Sequence, residues 1–253
     1  MADSAWVPNL AASIPASTAS PRHSLLVRIT HWITALSFLA LLVTGLEIVV
    51  SHPRFYWGET GNSLTPPLFQ LPVPASRESV PTGYRYVLPD QNGWSRYLHF
   101  QSAWLLVLTG LLYTAWGVFS GHFRRNLLPP PGARSWTALA SAFGSHLRFQ
   151  RPGASEAWSY NLVQRYTYLG VIFALFPLMI WTGLALSPGF VSAFPATVTL
   201  LGGQQSARTM HFFLTLLLVA FAVVHIVMVC RAGFKNRTGA MITGHVLDSE
   251  EQP

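Results

Sequence analysis

Four long apolar stretches, set apart by polar segments, dominate the chain. They cover about 25–50, 97–119, 162–187 and 207–231. At ~1.5 Å per helical residue, each is long enough to cross a hydrocarbon core of roughly 30 Å. Lipid offers the backbone no hydrogen-bond partners, so runs of this length and character are helices. A fifth apolar piece, 190–201, is too short to cross and contains Pro195, so it is expected to be interfacial or re-entrant. The pattern predicts an all-α integral membrane protein with four transmembrane helices in an up-down bundle. Residues 23–244 form the membrane domain, between a flexible tail at 1–22 and a short tail at 245–253. The first 22 residues lack both a basic n-region and an apolar h-region, which argues against a cleaved leader.

Composition agrees with this class. The chain has 253 residues, 51% of them hydrophobic and 10% charged, with a mean hydropathy of +0.36. Its net charge of +7 would suit a nucleic-acid binder if the basic residues were clustered. They are instead scattered between the spans, which fits positive-inside topology and no nucleic-acid partner. The two tails and the 120–160 connection, with their span ends, hold Arg22, Arg28, Arg124, Arg125, Arg134, Arg148, Arg151, Arg165, Arg231, Lys235 and Arg237. The opposite side holds Arg54, Arg77, Arg85, Arg96 and Arg208. Eleven against five puts both termini in the cytoplasm and the 51–95 loop outside. That loop is long and rich in Pro, Gly and aromatics, which points to an ordered docking surface. The cytoplasmic connection contains WTALASAFGSHLRF, expected to be an amphipathic helix lying on the membrane. Cys230 is the sole cysteine, so no disulfide and no CxxCH attachment exists. Any haem must be held non-covalently.

Histidine is the candidate chemistry. An ionisable side chain inside a span is costly and marks a candidate functional site. Four of the nine histidines lie inside spans: His31, His99, His211 and His225. The helices alternate in direction, so His31 and His225 lie near the inner surface, and His99 and His211 near the outer. His211 and His225 are fourteen residues apart, which is close to four turns. Both rings therefore leave one face of the last helix, ~21 Å apart along its axis. Depth then allows a single pairing, His99 with His211 and His31 with His225. Two imidazoles per site, with no Asp, Glu or Cys nearby, suit bis-histidine haem. A zinc site would take three or four protein ligands.

Two further regularities accompany these histidines. Arg28, Arg96 and Arg208 each precede a ligand candidate by three residues, in RITH, RYLH and RTMH. The arginine then lies one turn nearer the membrane surface, where haem propionates point and a guanidinium pairs well with carboxylate. Arginines at span ends also snorkel to the interface without any ligand. Gly45 lies fourteen residues after His31, and Gly110 and Gly117 lie eleven and eighteen after His99. Gly45 falls within about 40° of the His31 face at the depth of the other site, and Gly110 and Gly117 within about 20° of the His99 face, offering clearance for a macrocycle or for plain helix packing. Within the spans the dipeptide Thr-Gly recurs at Thr44-Gly45, Thr109-Gly110 and Thr182-Gly183, with no evident role beyond packing.

Taken together, RITHW, RYLHF, the His211/His225 pair and the tail KNRTGAMITG resemble the di-haem cytochrome b subunits of nickel–iron hydrogenases and formate dehydrogenases. That superfamily includes the bacterial cytochromes b561. The resemblance spans about 22–244. HPRFYWGE in the external loop and SGHFRRNLLP after the second span look most like the branch paired with periplasmic molybdopterin oxidoreductases. The resemblance implies a subunit of the bacterial inner membrane with two haem b groups, passing electrons between a periplasmic oxidoreductase and the quinone pool. It also implies a quinone site at the start of the third span, where YNLVQRYTY supplies Asn161, Gln164 and Arg165. The competing readings are a stand-alone b561-type quinol oxidase or ferric reductase and, more remotely, a non-redox transporter or metal-dependent intramembrane enzyme. The last class needs a polar path through the membrane, and the spans offer little beyond Glu47.

Overall fold

The structure is a computed structural model that describes residues 23–62, 64–73, 91–129 and 162–244, together with 137, 140 and 144. Among the described residues, four helices are long and apolar enough to cross a membrane. The first, α1, is Leu25–Ser51. It starts at Ser24, whose hydroxyl accepts from the backbone N–H of Val27 at 3.4 Å, a standard N-cap contact. The second, α2, is Gln91–Phe119, beginning six residues before the apolar stretch does. It closes at Gly121, whose φ of +68° suits glycine, and a single π-helical turn follows at Phe123–Leu127. The third, α3, is Leu162–Ala185 and widens to π geometry at Val171–Leu175. Pro177 sits just beyond that segment. It lacks an N–H and its ring crowds the carbonyl four residues back, and a π turn is a common way to absorb such a defect. The last span, α6, is Gln204–Arg231.

The short apolar piece between α3 and α6 forms two small helices, α4 (Pro188–Ala193) and α5 (Ala196–Thr199). They cap the bundle end. Val198 is buried against Ala185 of α3 and Ala207 of α6, and the Trp181 indole N–H donates to the Thr197 carbonyl at 3.2 Å. A final helix, α7, covers Phe234–Thr243. Its last carbonyls are held by α1: the Arg28 guanidinium donates to Ile242 at 2.6 Å and the Trp32 indole to Met241 at 3.2 Å. The start of α1 and the end of the chain's last helix therefore share one end of the bundle, here the terminal end. Of WTALASAFGSHLRF, only Thr137, Ala140 and Gly144 are described, all helical.

The bundle is assembled as a membrane protein should be. α1 packs along α2, and α3 along α6. Large apolar side chains such as Leu36, Leu39, Val43 and Leu46 point outward, while Thr30, Ser37, Thr44, Ser102, Thr109, Thr182 and Thr209 are buried. Lipid tails are as apolar as leucine, so small and hydroxylated residues are what let helices approach. Most of these threonines satisfy their hydroxyls locally, on the carbonyl one turn back: Thr44 on Ala40, Thr109 on Leu105, Thr182 on Leu178.

At the opposite end, residues after α1 form a minimal hairpin. β1 (Arg54–Phe55) pairs antiparallel with β2 (Phe69–Gln70), with Phe55 opposite Phe69. The two rings stack at 4.6 Å, and Phe55 also meets Phe212 of α6 at 4.6 Å. The loop between the strands is clamped to the start of α6. Gly58 donates to the Ser206 hydroxyl at 2.7 Å, and its carbonyl accepts from Gln205 and Ser206 at 3.0 and 3.2 Å. Tyr56 accepts from the Thr209 hydroxyl at 2.7 Å. Gly203 makes this approach possible: its φ is +114°, and a Cβ there would overlap the Gly58 backbone. Part of the 51–95 loop is thus ordered against the bundle; 74–90 lie outside the described residues.

Candidate haem sites

The two depth-matched histidine pairs meet in space. At the hairpin end, His99 of α2 faces His211 of α6, with ring centroids 6.4 Å apart. At the terminal end, His31 of α1 faces His225 of α6, also at 6.4 Å. The equality has a chemical reading. Two metal–nitrogen bonds of about 2 Å and two imidazole radii of about 1.15 Å sum to about 6.3 Å. Both gaps are therefore the size of one metal ion held between two rings. Among the described residues no group of three or more His, Cys, Asp and Glu side chains could hold a metal. Each pair would supply two imidazole nitrogens to a metal, a donor set that a haem would complete.

The pairs differ in how they are held. In the hairpin-end pair, His99 Nδ1 is 2.9 Å from the Thr44 hydroxyl and His211 Nδ1 is 2.9 Å from that of Thr182. The adjacent glycines make room: a Cβ on Gly45 would sit 3.5 Å from His99 Cε1, and one on Gly183 3.4 Å from His211 Cε1. The Thr-Gly recurrence thus acquires a role. In two of its three occurrences within the membrane spans the hydroxyl meets a histidine of this pair and the glycine clears its ring. The terminal-end pair is held by aromatic contact. Trp32 lies edge-on to His31 at 5.2 Å, Phe221 stacks on His225 at 5.7 Å and Tyr168 approaches it at 6.2 Å. His31 Nδ1 is buried and finds no hydrogen-bond partner among the described residues.

The remaining candidates fall into place unevenly. Arg28 uses one terminal nitrogen on α7, while its Nε is buried without a partner, an orphan that a carboxylate would satisfy. Arg208 is engaged by the loop after α1: it donates to the His52 carbonyl and lies 4.8 Å over the Phe55 ring. Arg96 is exposed near the start of α2. Gly45, on the His31 face but at the depth of the other site, serves the His99 ring. A Cβ on Gly110 would meet open space, whereas one on Gly117 would overlap the Phe123 ring of the π turn. Gly117 therefore accommodates that ring. Arg165 donates to the Leu128 carbonyl at 3.0 Å, tying α3 to the π turn, and Gln164 lies in the first turn of α3. Asn161 lies outside the described residues.

The sequence profile of the prokaryotic cytochrome b561 family matches residues 22–244. The chain belongs to this family. It is accordingly a b-type haem protein, a multi-pass protein of the bacterial inner membrane, and an electron-transfer component. A relative from Azospira oryzae is 30% identical over 224 residues, covering 87% of this chain and 94% of its own, under the provisional name protein-methionine-sulfoxide reductase subunit YedZ1. Another, from Cupriavidus necator, is 24% identical over 226 residues, covering 86% and 81%, under the provisional name Ni/Fe-hydrogenase B-type cytochrome subunit. No solved structure matches the chain.

Thr44, Thr182 and Gly183 were not among the site residues read from sequence. The recurring dipeptide was visible there; its meaning lies in the register between α1 and α2, and between α3 and α6.

Proposed function

We propose that the chain holds two b-type haems, one between His99 and His211 and one between His31 and His225. In this reading it carries electrons between a periplasmic oxidoreductase and the quinone pool, with both termini in the cytoplasm. The observation that carries this is the common 6.4 Å spacing of the two pairs, one metal wide, stacked along one face of α6. When bound, the haems supply the one-electron couples, which the side chains alone lack.

The chain's own residues position and insulate. Each ligand histidine presents a neutral ring nitrogen to the metal. The buried Nε of Arg28 would pair with a propionate at the terminal end, and Arg96 is the candidate at the hairpin end. Arg208 contributes by fixing the loop above His211. The ordered hairpin, with Trp57 exposed on it, favours a docking face for the partner. The names of the two relatives, each a subunit of an oxidoreductase, support a partner of that class. Quinone is assigned to the start of α3, with Asn161, Gln164 and Arg165. Tyr168, one turn beyond Gln164, touches the His225 ring.

Redox spectroscopy of the purified chain tests this. Dithionite should give a b-type spectrum that a soluble quinone reoxidises. No b-type signal would end the haem reading, and a signal that quinone leaves reduced would end the quinone link. A periplasmic oxidoreductase should co-purify through the 51–95 loop. Its absence would favour a stand-alone b561-type enzyme.

A further inference from the structure

We propose that Thr44 and Thr182 are positioning residues of the hairpin-end haem, and that they set its two ligands apart electronically from those of the terminal-end haem. The inference rests on the haem assignment above and extends it to the hydrogen bond behind each ligand.

Proton counting fixes the direction of both threonine–histidine hydrogen bonds. A threonine hydroxyl has one proton and two lone pairs. Thr44 lies 2.7 Å from the Ala40 carbonyl, which can only accept, so its proton goes there. The 2.9 Å contact with His99 Nδ1 then needs a proton from the histidine. Thr182 repeats the arrangement: 3.0 Å to the Leu178 carbonyl and 2.9 Å to His211 Nδ1. Both rings are thereby fixed as the Nδ1–H tautomer, which leaves Nε2 with a bare lone pair for iron. The contacts come from different helices, α1 onto α2 and α3 onto α6, so each ring is also locked in orientation. The flanking Gly45 and Gly183 let the rings approach.

Among the described residues the terminal-end pair has no such hold. His31 Nδ1 is buried without a partner, and its contacts, like those of His225, are with aromatic rings. A histidine that donates its outer N–H becomes a stronger base toward the metal. A more basic ligand favours the higher charge on iron, so the hydroxyls lower the potential of the hairpin-end centre. One chain thereby tunes two chemically identical groups differently.

The experiment is a spectroelectrochemical titration of the full-length protein in detergent. The hairpin-end component is first assigned as the one that H211A removes. T44V and T182V keep side-chain volume and remove the hydroxyl. Each should shift the hairpin-end midpoint upward and leave the other in place; the double variant should shift it further. T44S and T182S should restore it. T109V removes the third hydroxyl of the repeat, which touches no histidine, and should change neither midpoint. Loss of the hairpin-end haem alone in T44V, with retention in T44S, also supports the positioning role. Unchanged midpoints in T44V and T182V, or a shift of the terminal-end component instead, would overturn the inference while leaving two haems in place. A wild-type protein without b-type haem would overturn the underlying assignment.

Discussion

Replacing Gly203 with alanine tests how the hairpin is fastened over the bundle. Gly203 has φ +114° and ψ 168°, a region essentially reserved for glycine. A Cβ there would also overlap the Gly58 backbone. The chain has two ways to respond. It can hold the geometry and accept strain of about 1–3 kcal/mol. It can instead release the loop and lose the three hydrogen bonds between Gly58 and α6, at about 1 kcal/mol each. Both routes give about 3 kcal/mol at most, or roughly a hundredfold in the opening equilibrium. Amide hydrogen exchange in lipid nanodiscs reads this directly. The amides of Gly58, Gln205 and Ser206 should exchange about a hundredfold faster in G203A, while those in the middle of α1 and α6 keep their protection. Gly202 also has a positive φ, at +77°, yet only the Ser206 side chain lies near its Cβ. G202A should therefore loosen the loop less. Equal protection of Gly58 in G203A and wild type would refute the clamp.

Gly117 and Gly110 make a contrasting pair in one helix. G117A forces the Phe123 ring aside and should cost about 1–3 kcal/mol in thermal unfolding. G110A meets open space and should hold or gain a few tenths, since alanine is the better helix former. His122, beyond the end of α2, has its pKa held below the usual 6.5 by burial and by the nearby Arg125. Its folded pKa lies below the unfolded one, so the neutral folded form is favoured above about pH 6.5. That contribution is lost as pH falls from 6.5 through the folded pKa. The melting temperature of wild type should drop more than that of H122N between pH 7 and 5.5, and equal drops would contradict the assignment.

Much of this architecture is legible in the residues because the membrane imposes it. Four apolar runs have one structural solution, and alternating helix directions turn sequence position into depth. That is why His31 could be matched to His225, and His99 to His211, before any contact was known. Features set between helices are harder to read. Thr44 and Thr182 reach histidines on neighbouring helices, and no periodicity within one helix reports that. Gly117 looked like macrocycle clearance because its angle matches His99; Phe123 takes the space because α2 stops and a π turn folds the chain back. Arg208 has the spacing of a propionate partner, yet the loop carbonyl of His52 and the Phe55 ring claim it. The strands are two residues each, too short for an alternation signal.

The central claim is that α6 supplies one ligand to each of two haems. Haem-to-protein ratios of single and double histidine variants test it most directly. The account predicts two haems per chain in wild type, one in H99A, H211A, H31A and H225A, one in the same-site doubles H99A/H211A and H31A/H225A, and none in the cross-site double H99A/H225A. One haem retained in H99A/H225A, or both lost in H99A/H211A, would contradict it.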